Sequence, residues 1–139
     1  MKKISARGIV IKDNAVLLMY REKKGAKYYS IPGGKVEPNE TLENTVIREL
    51  LEETCIKVKP LKLLGTFTHT SGKEQNLFLC EYISGEVTLG NSVEMKKMAN
   101  NPSNIYKPQW VSLDLVENLV IRPIPVAKFF KNFIKSFKQ

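Results

Sequence analysis

GGKVEPNETLENTVIRELLEETCI, residues Gly33 to Ile56, places three glutamates, Glu49, Glu52 and Glu53, directly after Arg48 in a chain whose formal balance is +8. The stretch follows a turn signal at Pro32-Gly33-Gly34. From Asn39–Thr41 it reads as a helix running to about Thr54, with Asn39 as the cap and the carboxylate of Glu40 at the positive end of the helix dipole. At about 100° per residue, Glu49, Glu52 and Glu53 fall within an arc of roughly 100° and share one face. Val46, Ile47, Leu50 and Leu51 occupy the adjacent arc and are expected to bury against a sheet. Like charges three or four residues apart each cost about 0.2–0.5 kcal/mol on an isolated helix, and Arg48 relieves only part of this by pairing with Glu52. A cation between the carboxylates is the simplest relief. Oxygen ligands with no His or Cys nearby select Mg²⁺ or Mn²⁺ over zinc. Judged by residue type alone, however, a glutamate-rich helix is more often a solvated surface.

Outward from this segment, Ile4–Lys12 and Ala15–Arg21 are β-branched or apolar and meet at Asp13-Asn14, which predicts a hairpin. Tyr28–Ile31 reads as a third strand ending at Pro32. Further strands are expected at Lys62–His69, Leu77–Ile83 and Gln109–Ser112, with a short helix over Leu113–Asn118. Between Pro125 and Lys138 the apolar residues Val126, Phe129, Phe130, Phe133, Ile134 and Phe137 recur at helical spacing, with lysines elsewhere. That helix packs on its own sheet, on a second copy, or on a membrane surface. The segment Gly90–Ser103, rich in Asn and Met, is the one long connection.

With 139 residues, 42% apolar and 26% charged, the chain has the composition of one globular domain spanning residues 1–139. Cys55 and Cys80 cannot staple a scaffold of this size and no Cys/His cluster suggests zinc, so a cytoplasmic setting is expected. The apolar run from Gly8 is broken at Lys12–Asn14, unlike a signal peptide, and no stretch reaches the length of a membrane span. The excess of 22 Lys and Arg over 14 Asp and Glu is compatible with an anionic ligand and equally with a solubilising surface.

The full spacing separates the two readings of the acidic helix. Gly34 is followed by five residues, Glu40, seven residues, Arg48-Glu49-Leu50, one residue, Glu52-Glu53, one residue, then Cys55-Ile56. This closely resembles the signature of the Nudix hydrolases, departing from it only at Cys55, where the family has glycine. The resemblance extends to YYSIPGGKVEPNET before the helix and to YKPQWVSLDLVENL after it. It implies an α/β/α sandwich around a mixed β-sheet, and hydrolysis of a nucleoside diphosphate linked to another group by water attack at phosphorus.

Carried over by position, the resemblance makes Glu52 and Glu53 the metal ligands, with Glu49 either a ligand or the general base. Arg48 and Glu40 would orient the glutamates, and a main-chain carbonyl near Gly34 would join the metal shell. Some relatives add an acidic residue from a later loop, for which Glu94 and Glu74 compete. Cys55 would stand at a helix C-terminus where positive φ is common, which a Cβ disfavours by about 1 kcal/mol. It has no neighbouring histidine to make it a nucleophile, since the single histidine, His69, falls in an expected strand.

Substrate identity is less legible. The proline or tyrosine that marks some family subgroups after the box is missing, where Ser71–Glu74 read Ser-Gly-Lys-Glu. Arg7, Arg21, Lys23, Lys24 and Lys27 are candidates for phosphate contact, and Tyr28 or Tyr29 for stacking on a base. A nucleotide-type small molecule is the expected substrate. A non-hydrolytic nucleotide- or RNA-binding module is the alternative, with nucleic acid the less favoured ligand. Monomer and homodimer both fit.

Overall fold

Strands β1 (Ile4–Lys12) and β2 (Ala15–Lys23) form the expected hairpin. Its turn residues Asp13 and Asn14 both take positive φ, 51° and 61°, which matches the right-handed twist of the strands it joins. The computed structural model describes residues 3–88 and 103–138. β3 (Ala26–Ser30), β4 (Gly33–Lys35) and helix α1 (Leu42–Thr54) follow, then β5 (Lys57–Thr68), β6 (Glu74–Ser84) and β7 (Ile105–Ser112). A 3₁₀ turn at Leu113–Asn118, the two-residue β8 (Ile121–Arg122) and helix α2 (Ile124–Phe137) complete the described elements.

The strands form one mixed sheet of two leaves. In the first, β1 lies between β6, its parallel partner, and β4, which pairs with Ser5–Arg7; β5 completes the edge. In the second, β2 lies between β3 and β7, and β8 extends β3 in parallel. The leaves are joined where Ile11 and Lys12 of β1 meet Val16 and Ala15. On the β4 side, β1 changes partner at Gly8, whose N–H donates to the Pro32 carbonyl at 2.9 Å. The diglycine is therefore set into the fork between the leaves.

Alternation along the strands divides the core in two, because successive side chains point to opposite faces. Ile9, Val16, Leu18 and Leu77 pack with Val126, Phe130 and Ile134 of α2. Ala6, Val10, Leu17, Phe78 and Cys80 pack with Val46 and Leu50 of α1. The result is the expected α/β/α sandwich. Phe130, fully buried, contributes about 1.5–3 kcal/mol by leaving water.

Several local expectations are corrected. Thr41 caps α1, its hydroxyl accepting from the Asn44 N–H at 3.1 Å, while Asn39 takes φ 65° in the preceding turn. Leu51 is 51% exposed and Glu53 only 8%, because α1 is rotated so that Val46 and Leu50 face the sheet together with Thr45 and Thr54. β5 begins at Lys57, five residues before the expected start. It includes Pro60, which an edge strand tolerates, at an irregular register. His69 lies just past β5 in the turn to β6 rather than in a strand.

Candidate active site

Arg48 organises the acidic face of α1. Its Nε and Nη2 donate to the two carboxylate oxygens of Glu40 at 2.7 and 2.9 Å. Nη1 donates to Glu49 at 3.2 Å and to Glu52 at 3.4 Å, and Nη2 also reaches the Lys35 carbonyl of β4 at 3.1 Å. One planar guanidinium thus spans two turns of helix and the adjoining strand, a task suited to its fixed fork of donors. The Glu40 carboxyl is held at a pKa of about 2, chiefly by the Arg48 hydrogen bonds, with Thr45 and the Glu37 N–H adding to them against its own desolvation. Arg48 is correspondingly raised, first by its bonds to Glu40 and then by the charges of Glu49, Glu40 and Glu37, against its own desolvation.

The diglycine brings backbone to the other carboxylates. A Cβ on Gly33 would run into the Ala6 carbonyl, and a Cβ on Gly34 would lie 2.5 Å from the Glu49 carboxylate. At Gly33 the neighbour is backbone and only glycine fits, whereas at Gly34 it is the end of a flexible side chain. The Gly33 N–H points at Glu53 Oε2 at 3.4 Å, holding Glu53 against β4. Among the described residues no three acidic, imidazole or thiol groups converge into a ready-made metal cage. Glu49 and Glu52 instead share the Arg48 guanidinium, so the oxygen set fits Mg²⁺ or Mn²⁺ by donor chemistry rather than by a preformed cage.

Beside Glu53 opens a cleft of about 310 Å³, lined by Gly33, Glu53, Arg7, Arg21, Tyr28 and Arg122 among others. Arg7 donates to the Ile31 carbonyl at 2.7 Å and to Gln75 Oε1 at 2.9 Å. Burial lowers its pKa, and the negative charges of Glu53 and Glu49 oppose that, so Arg7 is coupled to the acidic face. Arg21 stacks on Tyr106 with its guanidinium carbon 3.6 Å from the ring centroid and donates to Asn104 Oδ1 at 2.9 Å.

Of the residues expected at substrate, Arg7 and Arg21 line this cleft. Lys27 does not, being exposed 3.7 Å from Glu22 at the β2–β3 turn. Tyr29 does not either: it packs on the α2 side of the sheet with its ring centroid 5.1 Å from that of Tyr20. Tyr28, one residue earlier and on the opposite face, lines the cleft instead. Arg122 and Tyr106 were missed, because nothing in their own segments shows that β7 and β8 flank β2 and β3. Glu94 lies outside the described residues. Glu74 receives a hydrogen bond from Asn76 Nδ2 at 3.1 Å at the start of β6 and is not among the cleft-lining residues. A separate cavity of about 420 Å³ between the 3₁₀ turn and α2 mixes Asp114 and Glu117 with lysines, away from the acidic face of α1.

A split mixed sheet between two helices, with an arginine-clamped acidic helix beside a basic cleft, defines an α/β/α protein. The chain matches the NUDIX domain over residues 1–136 and belongs to that family. It is 33% identical over 97 residues to the ADP-ribose pyrophosphatase of Methanocaldococcus jannaschii, covering 66% of this chain and 57% of that one. It is 48% identical over 59 residues to the putative 8-oxo-dGTP diphosphatase YtkD of Bacillus subtilis, covering 42% and 35%. The similarity thus spans only part of these curated relatives' lengths. Among solved structures, the MutT protein of Methanosarcina mazei superposes with a TM-score of 0.69 at 26% identity, over 99% of this chain and 96% of that one. A NUDIX hydrolase of Nitrosomonas europaea, 20% identical, shares the fold with a TM-score of 0.76 over 96% and 70%.

Proposed function

We propose that the protein hydrolyses the diphosphate linkage of a nucleoside di- or triphosphate derivative, with Mg²⁺ or Mn²⁺ as cofactor. The observation that carries this reading is Glu53, buried against the Gly33 amide and lining the basic cleft, on the same helix face as Glu49 and Glu52. Glu49, Glu52 and Glu53, with a carbonyl near Gly34, would hold the metal. When bound, such an ion neutralises phosphate charge and acidifies an attacking water. The chain's own groups do the rest. Arg48 and Glu40 set the carboxylates in place, and Arg7 and Arg21 present donors to phosphate oxygens. Glu49, where it is not itself a ligand, would take the proton of the attacking water.

The pyrophosphatase and diphosphatase names of the relatives support hydrolysis over the alternative, a nucleotide- or RNA-binding module without turnover. A screen of nucleoside diphosphate derivatives with Mg²⁺, its products resolved by chromatography, tests the proposal. Binding without release of phosphate-containing products in any reaction would favour the alternative.

A further inference from the structure

The cleft does not end at Arg122. A second cavity, about 450 Å³, shares Arg7, Arg122 and Pro123 with the first and is lined further on by His69, Lys73 and Gln75. Gly33 and Glu53 line only the first cavity, and His69 and Lys73 only the second. The two cavities therefore adjoin at Arg7, Arg122 and Pro123, with the acidic helix on one side and His69 and Lys73 on the other. Among the described residues neither Arg122 nor Lys73 makes an ion pair; the Arg122 guanidinium has one long bond, 3.5 Å to the Ile121 carbonyl. The aromatic rings nearby are already engaged by cations: Arg21 covers Tyr106 at 3.6 Å, and Arg21 and Arg122 sit 5.8 and 5.7 Å from the Tyr28 centroid. The groove thus offers guanidinium and ammonium donors more than bare ring faces.

Resting on the proposed diphosphate hydrolysis, we infer that the substrate carries a second, non-scissile phosphomonoester, held at the far end of the groove by Arg122 and Lys73 with His69 beside them. A phosphomonoester carries about −1.5 to −2 charge at pH 7, which two cations match. Arginine's fork suits its oxygens, and the lysine supplies a compact charge. A neutral base or sugar at that end would cover the half-buried Arg122 guanidinium without an anionic partner. The ligand class is a nucleoside 5′-diphosphate derivative phosphorylated again at the ribose 2′ or 3′ position.

Equilibrium dialysis of the intact chain in EDTA, where no metal-dependent turnover intervenes, tests this with matched pairs: adenosine and guanosine 5′-diphosphates with and without a 2′- or 3′-phosphate. At least one extra-phosphorylated ligand is expected to bind tenfold or more tightly than its parent. That preference should fall below threefold in Arg122→Gln/Lys73→Gln, and to an intermediate value in Lys73→Gln, an exposed position where folding is not at stake. Equal affinity within every pair, or a preference untouched by either variant, overturns the inference. Hydrolysis of the plain diphosphates without any such preference would sink this inference and leave the reaction standing. Preference without hydrolysis in Mg²⁺ would do the opposite.

Discussion

Arg48 donates to both carboxylate oxygens of Glu40, eight residues earlier in the chain, with Nε–Oε2 at 2.7 Å and Nη2–Oε1 at 2.9 Å. This fork ties the turn before α1 to the middle of the helix and leaves Nη1 for Glu49 and Glu52. The lowered Glu40 pKa makes the tie pH-dependent. A carboxyl depressed on folding contributes stability that is present above its ordinary value of 4.5 and lost as pH falls toward about 2. Denaturant unfolding of the parent should therefore weaken between about pH 5 and 2, and Glu40→Gln should flatten that part of the profile. A Glu40→Gln curve parallel to the parent's through this window would show that the fork does not carry the acid sensitivity.

Glu52→Gln and Glu53→Gln should each lower hydrolysis at least a hundredfold at fixed Mg²⁺, with circular dichroism unchanged. Glu53 is the more sensitive to fold, being buried at Gly33. Retention of activity in both variants would remove the metal from this helix.

Gly34→Ala tests the close approach of β4 to α1. The added Cβ meets the end of the Glu49 side chain at 2.5 Å, and a flexible side chain yields where backbone would not. The melting temperature should change little while turnover drops tenfold or more. A large loss of stability with turnover preserved in the folded fraction would mean that Glu49 has no placement to lose.

Cys55 ends α1 at φ 64°, with its N–H on the Leu51 carbonyl at 3.0 Å. A left-handed residue with a Cβ costs about 1–2 kcal/mol relative to glycine. Cys55→Gly should thus raise stability by about 1 kcal/mol, less what the more flexible unfolded chain takes back, without altering turnover. A clear fall in turnover with the fold intact would give Cys55 a role in the reaction.

Divalent binding should be visible without substrate. Mg²⁺ bound to the folded chain alone stabilises by about 2.7 kcal/mol at a hundredfold excess over Kd. Calorimetry should show a higher melting temperature in millimolar Mg²⁺ or Mn²⁺ than in NaCl of equal ionic strength. Glu49→Gln/Glu52→Gln/Glu53→Gln should lose that response. The same response in parent and triple variant would make the acidic face a solvated surface.

What the sequence determined by itself was the local and periodic content. The Asp13-Asn14 turn, the run of β1, the existence of both helices and the shared face of Glu49, Glu52 and Glu53 follow from backbone preference and from periods of 2 and 3.6 residues, which neighbours in the chain express without help. The spacing from Gly34 to Ile56 carried the family. The tertiary structure decided what depends on contacts between distant segments. α1 is rotated so that Leu51 faces water and Glu53 does not, because the helix must fit β4 and β1 together. Gly33–Lys35 is a strand only because β1 offers an edge to pair with. Tyr28 rather than Tyr29 faces the cleft, since a one-residue difference in a strand reverses the face. Arg122 and Lys73, some 50 residues apart in a chain of 139, lie along one groove because β8 pairs with β3 and the β5–β6 turn reaches the same end of the sheet. No property of either segment alone encodes that meeting.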